Sequence, residues 1–354
     1  MANSTSTEPS EQVLCGVIQR EGIEGMAAAV RNFFDLDAVQ LEPGETRCQI
    51  DFVATRNVIF YQEHYPLRTH LRGELLGGRF GLALPIEGPP IKFSGEEMNT
   101  CRLASAMSGE EMDVHARGGL KQIVVLVDQN RLLELADDAG LTREVRRSLA
   151  PGRSAMPLFA KPSVVDGFAR RATRVLSGAA SRGTRMDRSS IEEMVYGEIL
   201  NLVDVQDLPW GCPPAAVLVR RATELIDAMD GPLPIARLCS ILHVSPTTLE
   251  KSFKKITGMT PLTFFLRRRL NRARAALLAA DPQGQRVTEI AMELGFSELG
   301  RFSVRYRGMF GESPSETLHR RRSPHIAISP PRQARTFDSH PTAQGPSNAI
   351  LANF

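Results

Sequence analysis

Residues 287–316 read VTEIAMELGFSELGRFSVRYRGMFGESPSE. A compact apolar helix pattern runs to Gly295, breaks there, and resumes with arginines where the first part carries acids. An earlier stretch, IARLCSILHVSPTTLEKSFKKITGMTP at 235–261, has the same arrangement. Cys239, His243, Val244 and Ser245 match Ala291, Gly295, Phe296 and Ser297 at an offset of 52. After one inserted residue, Leu249, Phe253, Gly258 and Pro261 match Phe302, Tyr306, Gly311 and Pro314 at an offset of 53. Two copies of one supersecondary unit therefore lie in register.

Each copy reads as two helices joined by a turn of three to four residues. The small Cys239 and Ala291 allow the second helix to cross the first closely. Gly295 supplies the positive φ that the turn requires, and His243 stands at the matching place. Ser245 is placed to cap the following helix, and Pro246 sits at its first position, where a missing N–H is harmless. Leu249/Phe253 and Phe302/Tyr306 are i, i+4 pairs that face inward. The opposite faces then offer Ser245, Thr247, Thr248, Glu250, Lys251, Lys254 and Lys255 in the first copy. In the second they offer Ser297, Gly300, Arg301, Val304 and Arg305. This is a helix-turn-helix whose second helix has the form that enters a major groove.

Between the copies runs LTFFLRRRLNRARAALLAA (262–280), nearly free of helix breakers. Such a helix is about 28 Å long, close to the roughly 34 Å turn of B-DNA, so two recognition helices could enter successive grooves. Arg267, Arg268, Arg269, Arg272 and Arg274 form a charge run along it, read as phosphate contacts, with Arg267 and Arg268 foremost. Charge is divided the same way. Residues 220–322 hold 18 Lys and Arg against 10 Asp and Glu, residues 1–219 hold 23 against 29, and the last 32 hold 2 against 1. Only one part of the chain is built to face a polyanion.

Residues 217–322 resemble the AraC/XylS family of transcriptional regulators. The residues that carry the likeness are PLPIARLCSILHVSPTTLEKSFKKITGMTP, RLNRARAALL and VTEIAMELGFSELGRFSVRYRGMFGESPSETL. LCSILHVSPTTL looks like the ethanolamine-operon regulator branch of that family. The resemblance covers under a third of the chain. It implies a DNA-binding unit of two helix-turn-helix motifs on a shared helix, double-stranded operator DNA and RNA polymerase as partners, and activation more than repression. It also implies an N-terminal domain, often a cupin-like barrel, that binds a small organic effector and forms a homodimer. The chain departs from the family at His243, where glycine is usual, and at Gly300 and Val304 on the second recognition surface.

The rest of the chain fits that plan in outline. RCQIDFVAT, NVIFYQEHY, RFGLALPI, CRLASAMS and KQIVVLVD are short β segments between turn signals, which suggests a small sandwich or barrel. Residues 13–35 are mixed, with a short helix expected. Helical periodicity takes over at about 129, in NRLLELADDAG, and continues at 163–178 and 189–204, with Ser189 or Ser190 placed to cap the last of these. The expected fold class is α+β. Its parts are a disordered 1–12, an effector-binding and dimerisation domain at 13–205 (β-rich 37–128, helices 129–205), a linker at 206–214, the DNA-binding domain at 215–322 and a disordered tail at 323–354. The dimer contact is expected on helices 163–178 and 189–204.

Several other functions lack the residues they need. Hydrophobic content of 42% and charged content of 23% are ordinary for a soluble globular protein. No apolar run approaches the eighteen or so residues that span a bilayer, and the polar MANSTSTEPSEQ start carries no export signal, so cytoplasmic residence is expected. The five scattered cysteines include no C-x-x-C, and Cys212 in PWGCPP lacks the basic context of a reactive methyl acceptor. GELLGGRFG lacks the Gly-Lys-Ser/Thr ending of a phosphate loop. The alternatives weighed are a repressor and a metal-dependent cupin enzyme with an appended DNA-binding domain. For the latter His64, His70, Glu74 and His115 are the candidate ligands, but no His-x-His pair precedes a glutamate at ligand spacing. No nucleophile–base pattern appears, so neither an enzyme nor a cofactor is expected.

Overall fold

Strand β11 (Leu120–Asp128) runs LKQIVVLVD with almost no polar interruption, as a strand covered on both faces must. Period-2 alternation sends Ile123, Val125 and Val127 to one core and Val124 and Leu126 to another. Around it the computed structural model, which describes residues 13–99, 102–141, 157–159, 161–180, 187–202, 213–229, 233–282 and 284–320, builds two antiparallel sheets.

The larger sheet has the order β1-β3-β4-β11-β6-β9-β12. Its members are β1 (Leu14–Glu21), β3 (Arg47–Ala54), β4 (Val58–Tyr65), β6 (Arg79–Glu87), β9 (Arg102–Met107), β11 and β12 (Pro157–Phe159). The smaller has the order β2-β5-β10-β7-β8. It comprises β2 (Phe34–Gln40), β5 (Thr69–Leu75), β7 (Lys92–Phe93), β8 (Glu96–Glu97) and β10 (Glu111–Ala116). The sheets share a core of Phe52, Tyr61, Leu71, Phe93, Met112 and Leu126, so the β-rich half is a two-sheet, cupin-like sandwich rather than one closed barrel.

Residues 13–35 hold a strand, β1, before the expected short helix α1 (Gly22–Val30). The strand forms because β1 pairs along its whole length with β3, from Leu14↔Ala54 to Glu21↔Arg47.

Helix α2 (Gln129–Asp138) follows β11. Helices α3 (Pro162–Ala180) and α4 (Arg188–Leu202) then cover the outer face of the larger sheet. Phe168 and Ala172 from α3 and Ile191, Val195 and Ile199 from α4 are buried there beside Phe60, Leu82 and Val125. The apolar stripes expected to serve a dimer contact thus pack on the protein's own sheet, and a dimer through α3 and α4 would have to use their polar faces. The cap of α4 is Asp187, whose Oδ2 accepts from the Ser190 N–H at 3.2 Å, instead of either serine.

The remaining described helices are α5 (Pro214–Asp227), α6 (Ile235–Leu242), α7 (Pro246–Thr257), α8 (Pro261–Ala279), α9 (Val287–Glu293), α10 (Leu299–Phe310) and α11 (Pro314–His319). They form two cores joined by α8. Phe264 and Phe265 of α8 pack with Leu249 and Phe253 of α7, whereas its Leu270, Ala273 and Leu277 pack with Phe302 and Tyr306 of α10. The segments 1–12 and 323–354, and all of the 206–214 linker except its last two residues, lie outside the described residues.

Candidate nucleic-acid interface

The two turns are superimposable in their hydrogen bonds. At the first, His243 sits in the left-handed region at φ 53°, and the Val244 N–H donates to the Cys239 carbonyl at 3.1 Å. At the second, Gly295 has φ 77° and the Phe296 N–H donates to the Ala291 carbonyl at 2.9 Å. Histidine therefore takes the conformation that glycine takes 52 residues later, at a modest cost in backbone strain. Both second helices end alike. Gly258 and Gly311 adopt positive φ and donate to Lys254 and Arg307 carbonyls at 3.1 and 2.9 Å.

Burial separates the two faces of each recognition helix. On α7, Leu249 and Phe253 are fully buried, while Thr247, Thr248, Glu250, Lys251, Lys254 and Lys255 are exposed. Ser245 caps this helix by accepting from the Thr248 N–H at 3.1 Å, and the Ser245 and Thr248 hydroxyls lie 2.8 Å apart. Lys254 pairs with Glu250 at 2.6 Å, one turn back. Lys92 donates to the Lys255 carbonyl, leaving the Lys255 side chain in solvent.

On α10, Phe302 and Tyr306 face in, and Ser297, Gly300, Arg301, Val304 and Arg305 face out. Val304 is 74% exposed, an isolated aliphatic group on a charged surface. Arg301 pairs with Glu298 at 3.0 Å, and both side chains are well solvated. Such pairs contribute little and exchange readily. Nothing lies within 4 Å of where a side chain would start at Gly300, so the helix backbone is open to close approach there.

The arginine run on α8 differs from the sequence expectation. Arg268 is 5% exposed, and its Nη2 donates to Asp37 Oδ2 and Asp227 Oδ2 at 2.7 Å each. Arg267 donates to the Leu41 carbonyl. Burial pulls its pKa below the usual arginine value, and neighbouring Arg68 adds to that. Arg269 reaches the Gly295 carbonyl at 3.3 Å and lies 5.1 Å over the Phe296 ring. Arg274 is buried between Glu24, at 3.2 Å, and Glu312. Arg267 and Arg268 fasten α8 to strand β2 and its loop, contacts that compete with the phosphate role expected of them. A helix buried on several sides needs paired charges, and an unbroken arginine run does not reveal which side is covered. Arg272 alone of the five keeps a half-exposed side chain, 3.9 Å from Asp227.

In the N-terminal half, the candidate ligands separate. His64 pairs with Lys121 on the larger sheet, whereas Glu74 lies opposite Glu111 and Asp35 on the smaller. His70 and His115 come together as cross-strand neighbours with their rings stacked at 4.2 Å, and Asp113 joins them. Sequence reading missed Asp113, although its place two residues before His115 puts both on one face of a strand. Burial, and then the neighbouring His115, pull the His70 pKa down to about 4. Asp113 is largely but not fully buried, with 19% of its side chain exposed; burial pushes its pKa up, but the two imidazoles outweigh that and hold the carboxyl well below the usual carboxylate value.

Two exposed recognition faces on one shared helix define a double helix-turn-helix domain. Residues 238–320 match the family model described as a helix-turn-helix domain, and this region is of the AraC/XylS type. The XylDLEGF operon transcriptional activator 3 of Pseudomonas putida is 36% identical over 113 residues, 32% of this chain and 33% of that protein. The probable thc operon regulatory protein of Rhodococcus erythropolis is 39% identical over 102 residues, 28% of this chain and 31% of that protein. The chain thus spans about a third of these curated relatives. A solved structure of a probable AraC family transcriptional regulator from Rhodopseudomonas palustris CGA009 is 38% identical, with TM-score 0.28, over 30% of this chain and 99% of that one.

Proposed function

We propose that this protein is a sequence-specific DNA-binding transcriptional regulator that reads two successive major grooves. The observation that carries the reading is the pairing of two exposed recognition faces with a rigid 19-residue spacer, α8. On α7, Thr247 and Lys251 can donate to base edges or phosphates. On α10, Arg301 is the polar reader, and Val304 suits a thymine methyl. Lys254, Lys255, Arg272 and Arg305 are left for phosphates. Activation is the reading favoured by the relatives described as transcriptional activators, and RNA polymerase as a partner and cytoplasmic residence go with that reading. No described helix is long and apolar enough to cross a membrane. Footprinting on selected operators tests the reading: protection of two sub-sites about one helical turn apart per protomer is expected, and protection of a single groove segment overturns it.

Effector control belongs to the same reading. Between the sheets lies a cavity of about 80 Å³ lined by Met26, Tyr65, Leu71, Phe93 and Met112. Glu63 borders it, bonded to Gln122 at 2.6 Å, and burial pushes its pKa up to about 7. A small, mostly apolar organic effector with one hydrogen-bonding group suits this lining better than an organic anion. Homodimerisation goes with the same reading: sedimentation of the full chain at tens of micromolar should show a dimer, and a monomer overturns that part.

A further inference from the structure

We propose that His70, Asp113 and His115 form a binding site for a divalent first-row transition-metal ion of the zinc type. This inference is independent of the DNA-binding reading. It concerns the outer face of the smaller sheet, where strands β5 and β10 lie side by side.

The register builds the site. His70 and His115 are direct cross-strand partners, and Asp113 is two residues from His115, so all three side chains leave the same face. One ligand atom from each lies within 4.8 Å of the others. Both Nε2 atoms converge on a single oxygen, Asp113 Oδ1, at 3.3 Å from His70 and 3.2 Å from His115. The histidines are 2% and 6% exposed. Two imidazoles and one carboxylate are the donor set of borderline ions such as zinc.

The alternative is a cross-strand histidine pair that merely fills space beneath Phe264, whose ring lies 5.6 Å from His70 and 6.4 Å from His115. Hydrogen bonding argues against it. Neither ring nitrogen of His115 makes a hydrogen bond among the described residues, and the buried Nε2 is the one turned toward Asp113, 3.2 Å from its Oδ1; a fold that needed only packing would gain by placing an apolar residue there. Charge argues the same way. The nearby Arg268 is matched by Asp37 and Asp227, so the Asp113 carboxylate faces two imidazoles without a permanent cation of its own.

The place of the site ties it to the helical region. Arg268 Nη1 lies 3.5 Å from His70 Nδ1. An ion on His70 Nε2 requires the ring proton on Nδ1, which turns that nitrogen from an acceptor into a donor facing the guanidinium. Loading therefore breaks the Arg268–His70 contact and leaves Arg268 wholly to Asp37 and Asp227. A metal bound to the sheet would in this way be felt on α8.

The test is titration of the full-length chain, stripped with chelator and desalted, with Co(II) as a coloured stand-in for Zn(II). One equivalent per chain is expected, with ligand-field bands of nitrogen and oxygen coordination, no thiolate charge-transfer band, and displacement by Zn(II). His115→Ala and Asp113→Asn should each weaken uptake by about 100-fold or more, since removing a ligand exceeds the loss seen on removing its supporting partner. Should His115→Ala fail to fold by circular dichroism, Asp113→Asn preserves shape and hydrogen bonding, and the wild-type titration is decisive alone. A wild-type chain that takes up no Co(II), shows thiolate bands, or binds as well in the folded variants overturns the proposal.

Discussion

The two helix-turn-helix units are copies in their turns and caps, yet they are attached to the rest of the molecule by different forces. The first shares an apolar core with the sandwich: Val39 and Leu41 pack with Leu249, Phe253, Ile256 and Phe264. The second has no such neighbour among the described residues. It is held by polar contacts, including the Gly44 N–H to the Met309 carbonyl at 3.0 Å, Arg274 to Glu24 at 3.2 Å and Arg320 to Glu21 at 3.0 Å. Apolar burial survives salt and exposed charge pairs do not. The first unit is therefore the anchored reader, and the second depends on polar contacts, of which the exposed Arg320–Glu21 pair is the one that salt can screen while the buried Arg274–Glu24 pair is sheltered.

The strongest way to break this comparison is to hollow out each core in turn. Phe253→Ala should cost about 3–5 kcal/mol and should also expose the β2 amides to hydrogen exchange, because that core includes Val39 and Leu41. Tyr306→Ala should destabilise α10 and leave β2 protected, and equal exchange in the two variants would erase the distinction. Next in size, Arg268→Ala should lower stability by about 2 kcal/mol in urea unfolding. That is below the roughly 3–5 kcal/mol for a fully buried partner, because Asp37 and Asp227 keep access to water. An unchanged stability with weaker DNA binding would return Arg268 to the phosphate-contact role.

Base reading sharpens the comparison on the other face. Arg301→Ala should reduce operator affinity by about 1–2 kcal/mol, the lower part of the range for a base contact, since the exposed pair with Glu298 must first be given up. Preference at one or two base pairs should relax in selections from randomised DNA, and an unchanged preference would make Arg301 a positioning residue. Smallest is Arg272→Ala. It should weaken all sequences alike and flatten the plot of log affinity against log salt by about 0.9.

The helix-turn-helix units were legible almost residue by residue, because glycine, proline, serine and paired aromatics act locally and their spacing repeats. What α8 touches was not. Arg267 and Arg268 look like a solvated or phosphate-facing run until strand β2, some 230 residues earlier, supplies Asp37 and the Leu41 carbonyl. In the sandwich, the long apolar strands β4, β6 and β11 could be seen, whereas β2 and β5, FDLDAVQ and THLRGEL, carry too many polar residues on the face that meets the helical region. The same mixture hid Asp113, whose significance exists only beside His70 on the neighbouring strand. Side chains that meet across long sequence separations leave no periodic trace.

Helix α8 contributes to both cores from one unbroken rod, with Phe265 in the first and Leu270 in the second. Phase and distance are thereby locked together. One inserted residue between those positions would turn the second reader by about 100° and advance it by about 1.5 Å. Seven inserted residues would nearly restore the angle but lengthen the rod by about 10.5 Å, roughly three base pairs, and three base pairs rotate a groove by nearly a third of a turn. No short insertion corrects both at once. Operator spacing for such a protein is then a discrete property of its architecture, and target sites diverge by changing bases within each sub-site while the interval between them stays constant.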